Sequence, residues 1–302
     1  MAIIDGGEKR VGRERAMSVV DQAAREGSFG GIPFPVRFLT LALLVGGLVG
    51  GVANFLVLPG LWPWEMSPLA YRFLAGAATA YVVGSLFVFA SSRWVESELL
   101  LATVIIYGVP LVAAVMMQPA PIDWSKIVAQ LFAGIVTVAL AISIYYVWRE
   151  RNSAVSGRNL GRTLRAYLLA LGVLSLAVGA LVFAVPKQSG FVWPWAALET
   201  WKVLDSRLIA SMLLTIAGGS LLAWWRDDRG AARVFLAMLW AYCIVAGAGI
   251  ILHAAATPEF VVADAVYVLI FWLVLAASVL AYVLGARRER SEGGGPEKAK
   301  RR

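Results

Sequence analysis

Two arginines stand where an apolar chain has least reason to put them. Arg72 and Arg207 each lie near the start of a long apolar run, and each follows a Trp-Pro-Trp: Trp62-Pro63-Trp64 and Trp193-Pro194-Trp195. The likeness continues downstream. Arg72-Phe-Leu-Ala-Gly76 parallels Arg207-Leu-Ile-Ala-Ser211, Gly84-Ser85-Leu86 parallels Gly219-Ser220-Leu221, and both glycines fall twelve residues past their arginine. A guanidinium keeps its charge and presents donors in a planar fork, so the chemistry on offer is recognition of a carboxylate or phosphate. An arginine inside a membrane costs a few kcal/mol on insertion scales and needs water, a partner or a route to the interface. Two expectations follow. Either both arginines face an outward-open cleft and hold an anionic group such as a phospholipid headgroup, aided by nearby helix N-termini, or they snorkel to phosphate or pair with Glu65, Glu199 or Asp205.

Other chemistry finds little support. His253 is the one histidine in the chain, so two axial histidines for a b-type haem and a His-rich metal site are excluded. No Ser/His/Asp set, phosphate-binding Gly-x4-Gly-Lys loop or pair of intramembrane carboxylates is evident. His253 reads as interfacial, and Asp264 as a partner of a helix N-terminal dipole. The single cysteine, Cys243, cannot form an intramolecular disulfide and reads as a small packed residue. The expectation is a protein without catalytic function, metal or cofactor.

Which elements position the arginines follows from composition. Sixty per cent of the residues are apolar, 15 per cent are charged and the mean hydropathy is +0.75, more than a soluble surface allows. The apolar residues come in stretches of about 20, the length of a helix across a hydrocarbon core. Lipid forbids open strands, and nothing alternates as barrel strands do. Eight spans are predicted, at 37–58, 68–91, 98–117, 126–148, 164–185, 205–225, 231–252 and 262–286. With the N-terminus cytoplasmic, 22 of the 27 Lys and Arg fall on the inner side, a strong positive-inside signal. Both termini are then cytoplasmic and the expected location is a bacterial inner membrane. This distribution, not nucleic acid, accounts for the net charge of +8. Trp62, Trp64, Trp124, Trp193, Trp195 and Trp201 fall at the outer side, as interfacial anchors with half-buried rings and wet N–H groups.

The predicted fold is therefore an all-α bundle of two tandem, like-oriented repeats, 37–148 and 164–286. A basic linker at 149–163 joins them, and basic tails occupy 1–36 and 287–302. Four spans per repeat, an even number, makes the copies parallel rather than inverted. Helices in lipid approach closely through small residues. Gly76, Ala80 and Gly84 below Arg72, and Ser211, Thr215 and Gly219 below Arg207, supply such stripes. Gly46-x3-Gly50 and Gly47-x3-Gly51 supply others on the first span. Pro110 predicts a kink in the third, and Gly27 to Pro35 a hinge before the first.

The pattern Trp62-Pro63-Trp64, Pro68-Leu69, Arg72 resembles a recurrent signature of uncharacterised bacterial multispan membrane proteins. The resemblance covers the two patches of about 30 residues, lacks Pro-Leu in the second copy, and implies no activity. The leading expectation is a protein that binds or moves a small anionic or amphipathic molecule, with the bilayer itself as a partner. The alternative is an accessory subunit of a membrane complex. An enzyme acting on lipid-linked substrates ranks last.

Overall fold

The computed structural model describes residues 32–293, except 59, 61, 92, 120, 121, 151–158, 198–201 and 257–260, with backbone alone at 261 and 285–293. Both polar tails beyond these limits, most of the linker, and Glu199, Trp201 and Glu259 lie outside the described residues.

Among the described residues, eight helices are long and apolar enough to cross a membrane. They are α1 (Phe34–Phe55), α2 (Pro68–Ala90), α3 (Trp94–Met117), α4 (Ile127–Arg149), α5 (Arg162–Ala184), α6 (Val203–Arg226), α7 (Arg229–Ala256) and α8 (Val261–Gly293). Among the described residues there is no strand. Two short 3-10 turns, Gln188–Phe191 and Pro194–Ala197, lie between α5 and α6.

Local chemistry sets the helix ends. Ser67 accepts a hydrogen bond from the Ala70 amide at 3.3 Å, and Pro68 occupies the first helical position of α2, where its missing N–H costs nothing. Pro35 plays that part in the first turn of α1, which begins directly after Pro33. α3 runs on through Pro110. It also begins four residues before the sequence reading places it, so Glu96 is helical as well as Glu98, the first residue of the predicted span. Their carboxylates resemble a loop signal until their distant arginine partners are known.

α2, α3, α6 and α7 form the interior, each with more than half of its apolar stretch buried, while α1, α4, α5 and α8 are buried over less than a third. α1 packs on α2 and α5 on α6; α3 packs on α4 and α7 on α8; α2 packs on α7 and α6 on α3. Small residues sit at these contacts. A Cβ on Gly76 would come within 3.3 Å of the Tyr242 carbonyl oxygen of α7, and one on Gly84 within 2.7 Å of Met238 Sδ. One on Gly219 would meet the Phe235 ring at 2.7 Å, and Ser211 is fully buried.

Adjacent glycines of α1 differ sharply. A Cβ on Gly47 would stand 2.9 Å from the Ala78 carbonyl oxygen of α2, whereas Gly46 has nothing within 4 Å. Gly47→Ala is therefore expected to destabilise the bundle by about 1–3 kcal/mol through overpacking against backbone. Gly46→Ala should be neutral or stabilising by about 1 kcal/mol through helix propensity. Thermal unfolding of the two detergent-solubilised variants checks this.

Candidate functional site

Two residues, Asp227 and Asp228, join α6 to α7. Asp227 adopts a left-handed conformation, φ 49°, tolerable for a short side chain that can bond locally. Its carboxylate accepts from the Leu160 amide at 3.0 Å and Arg165 Nη1 at 3.4 Å, tying down the start of α5. Asp228 is fully buried. Its Oδ1 accepts from the amides of Gly230 at 2.7 Å and Ala231 at 3.0 Å, which caps α7. Its Oδ2 accepts from Arg93 Nη2 at 2.6 Å.

The network continues into α3. Glu96, 1% exposed, accepts from Arg233 Nη2 at 3.1 Å and lies 3.7 Å from Arg93 Nη1. Buried Glu98 pairs with Arg226 at the end of α6. A carboxylate withdrawn from water is costly unless paired and hydrogen-bonded; here each has its cation on another helix or loop.

Beside this network opens a cavity of about 640 Å³, lined by Arg93, Arg229, Arg233, Glu96, Phe87 and Tyr282 among others. The Arg229 guanidinium lies 5.3 Å from the Tyr282 ring centre and that of Arg233 5.5 Å from Phe87. The lining thus carries three guanidiniums and the Glu96 carboxylate; Arg93 is bound by Asp228 and Arg233 by Glu96, and two of the cations are steadied over aromatic faces. Sequence reading used these arginines only to orient the chain, because nothing in the local pattern shows that α2, α3 and α7 bring them to one hollow. The available signal was the density of charge in the two shortest turns, Arg93 to Glu98 and Arg226 to Arg229.

The opposite end of the bundle holds the residues that the sequence singles out. Arg72 is half-buried with its stem against α7: a Cβ on Gly249 would be 2.7 Å from Arg72 Cβ. Its Nε is buried with no hydrogen-bond partner. Arg207, 9% exposed, turns to α5, donating from Nε to the Phe183 carbonyl at 3.4 Å. The two stems therefore face different neighbours, and neither arginine lines the cavity described above. Among the described residues neither reaches a carboxylate. Glu65 pairs with Lys202 at 3.7 Å and accepts through its carbonyl at 2.8 Å. Asp205 accepts from the Ser67 amide at 3.1 Å, stitching the start of α6 to that of α2.

The tryptophans differ from the expectation of half-wet anchors. Trp64, Trp193 and Trp195 are buried, and Trp62 is half-buried. Trp193 and Trp195 meet at 4.8 Å between ring centres, and both pack on Tyr267 and Phe73. Trp62 and Trp64 pack on each other and on Phe132. The reason is that the connecting segments fold back over the bundle end, so the rings meet other rings and not headgroups. Two of their N–H groups are met inside the protein: Trp62 donates to Asn54 Oδ1 at 2.8 Å and Trp195 to Asp264 Oδ1 at 2.9 Å. His253 Nδ1 lies 3.0 Å from the other oxygen of Asp264. Asp264, in the first turn of α8, thus joins α7, α8 and the second Trp-Pro-Trp, a role beyond the dipole partner expected from sequence.

The chain matches no family model, no curated protein and no solved structure.

Asp228→Ala removes a helix cap and leaves Arg93 without its closest carboxylate. We expect a loss of about 3–5 kcal/mol, read as a lowered melting temperature. Asp227→Ala, at a more exposed pair, should cost less, about 1–2 kcal/mol, since it gives up the Leu160 bond and leaves alanine in a left-handed conformation.

Proposed function

We propose that this protein is an integral membrane protein that binds a small anionic or amphipathic molecule at the basic end of its bundle. The observation that carries the reading is the hollow in which Arg93, Arg229 and Arg233 converge around Glu96. Binding is favoured over catalysis because guanidiniums recognise and orient anions, and the one lining hydroxyl of a serine, that of Ser91, has no histidine beside it in the lining. We place the ligand here and not between Arg72 and Arg207 because those stems turn apart, to α7 and α5, and because the ends of α2 and α6 are laced together by Asp205 and Lys202.

The reading includes an architecture of two like-oriented copies, α1–α4 and α5–α8. In its support, exchanging the two sets leaves the main packing pairs unchanged: α1 on α2 becomes α5 on α6, and α2 on α7 becomes α6 on α3. Tyr107 and Tyr242 are separated in sequence by the same interval as Arg72 and Arg207. The reading also places both termini in the cytoplasm of a bacterium, with the basic end at the inner face, supported by the distribution of Lys and Arg. The resemblance carried by Trp62-Pro63-Trp64, Pro68-Leu69 and Arg72 belongs to the same reading and adds no activity.

A second reading, an accessory subunit of a larger membrane complex, is favoured by one observation. Gly46 and Gly50 of α1 and Gly134 of α4 have nothing within 4 Å of where a Cβ would stand, so their smallness serves no contact among the described residues. Cross-linking from α1 that finds no stoichiometric partner would remove this reading.

The test of the first uses thermal unfolding of the purified protein with inorganic phosphate or an alkyl phosphate. A ligand at 100 times its Kd raises stability by about 2.7 kcal/mol. We expect that gain in the wild type and in Arg72→Gln/Arg207→Gln, and its loss in Arg229→Gln/Arg233→Gln. Equal shifts in all three proteins would sink the reading.

A further inference from the structure

We infer that the molecule held at the basic end is a phosphate-bearing lipid, with its headgroup among Arg93, Arg229 and Arg233 and one acyl chain laid along the seam between α2 and α7. This rests on the anion-binding reading above and adds to it the nature of the ligand.

The argument comes from a second hollow. A cavity of about 340 Å³ opens between α1, α2 and α7, lined by apolar residues of α1 together with Thr79 of α2 and Ile244, Val245 and Ala248 of α7. It shares two helices with the basic cavity, which Phe87 of α2 and Arg233 of α7 help to line. The two hollows are in register. On α2, Thr79, Val83 and Phe87 follow at steps of four and are all half-buried, so they form one strip on the helix surface. On α7, Arg233 and Ile244 are eleven residues apart, which brings them back to nearly the same face about 16 Å along the axis. Both are exposed. One leaflet of a hydrocarbon core is about 15 Å deep, half of the full thickness. A cationic cup at the helix ends and an apolar cradle one leaflet away, joined by a half-open strip, match a headgroup and its chain in length and polarity.

Charge selects the headgroup. The cup holds three guanidiniums beside Glu96, with Asp228 bound to Arg93 behind them, and the planar fork of arginine fits two phosphate oxygens at once. Arg229 and Arg233 are already steadied over Tyr282 and Phe87, so little side-chain freedom is lost on binding. A free phosphate would satisfy the cup and leave the strip and cradle without a role. A neutral amphiphile would do the reverse.

The test is native mass spectrometry of the intact protein with phosphatidylglycerol, read beside thermal shifts with inorganic phosphate. We expect the wild type to retain phosphatidylglycerol, and Arg229→Gln/Arg233→Gln to retain it about tenfold less, the loss of roughly one charge-assisted bond. Val83→Trp, which fills the strip without touching an arginine, should lower lipid retention several-fold and leave the phosphate shift intact. Ile244→Trp, at an exposed position, supplies the same block should Val83→Trp fail to fold. Undiminished lipid retention in both blocked variants overturns the proposed chain path while leaving anion binding in place. A phosphate shift with no retained lipid in the wild type means a free-anion site and also overturns it. Neither a shift nor retained lipid removes this inference and the reading beneath it together.

Discussion

A carboxylate buried among apolar helices must have its counter-ion built in, and at the basic end of this bundle that requirement fixes how the helices meet. Asp228, Glu96 and Glu98 are all withdrawn from solvent, and each is answered by an arginine: Arg93, Arg233 and Arg226. The desolvation cost of such groups is recovered only with good geometry and additional hydrogen bonds. Asp228 meets both conditions, since it caps α7 with one oxygen and binds Arg93 with the other. The positions of α3, α6 and α7 relative to one another are therefore set by charge at one end and by interlocking small residues along their length.

The opposite end solves the same problem with rings. Trp193, Trp195, Phe73 and Tyr267 form a compact aromatic block beside the buried carboxylate of Asp264. Its two oxygens engage Trp195 and His253. At the basic end three arginines line a hollow, whereas at the aromatic end Lys202, Asp205 and Ser67 lace the starts of α2 and α6 together.

The helices were legible because an apolar run of about 20 residues has few other fates. What stayed hidden depends on partners distant in sequence. Glu96 and Glu98 read as the edge of a loop, because the arginines that let them be helical and buried lie 137 and 128 residues away. Trp193 and Trp195 read as interfacial because an indole at the end of a span usually is; Phe73 and Tyr267, which cover them, belong to other helices. The duplicated arginines were visible as a pattern, but which neighbour each stem leans on is a matter of packing that spacing does not encode.

The long-range pairing of Glu96 and Glu98 has a consequence for biogenesis. A ribosome delivers α1 to α4 first, and at that moment the acids of α3 have only Arg93 nearby, with Arg226 and Arg233 still unsynthesised. The ion pairs that bury Glu96 and Glu98 can close only once the α6–α7 hairpin has been made, so the late hairpin is the keystone that locks the early one.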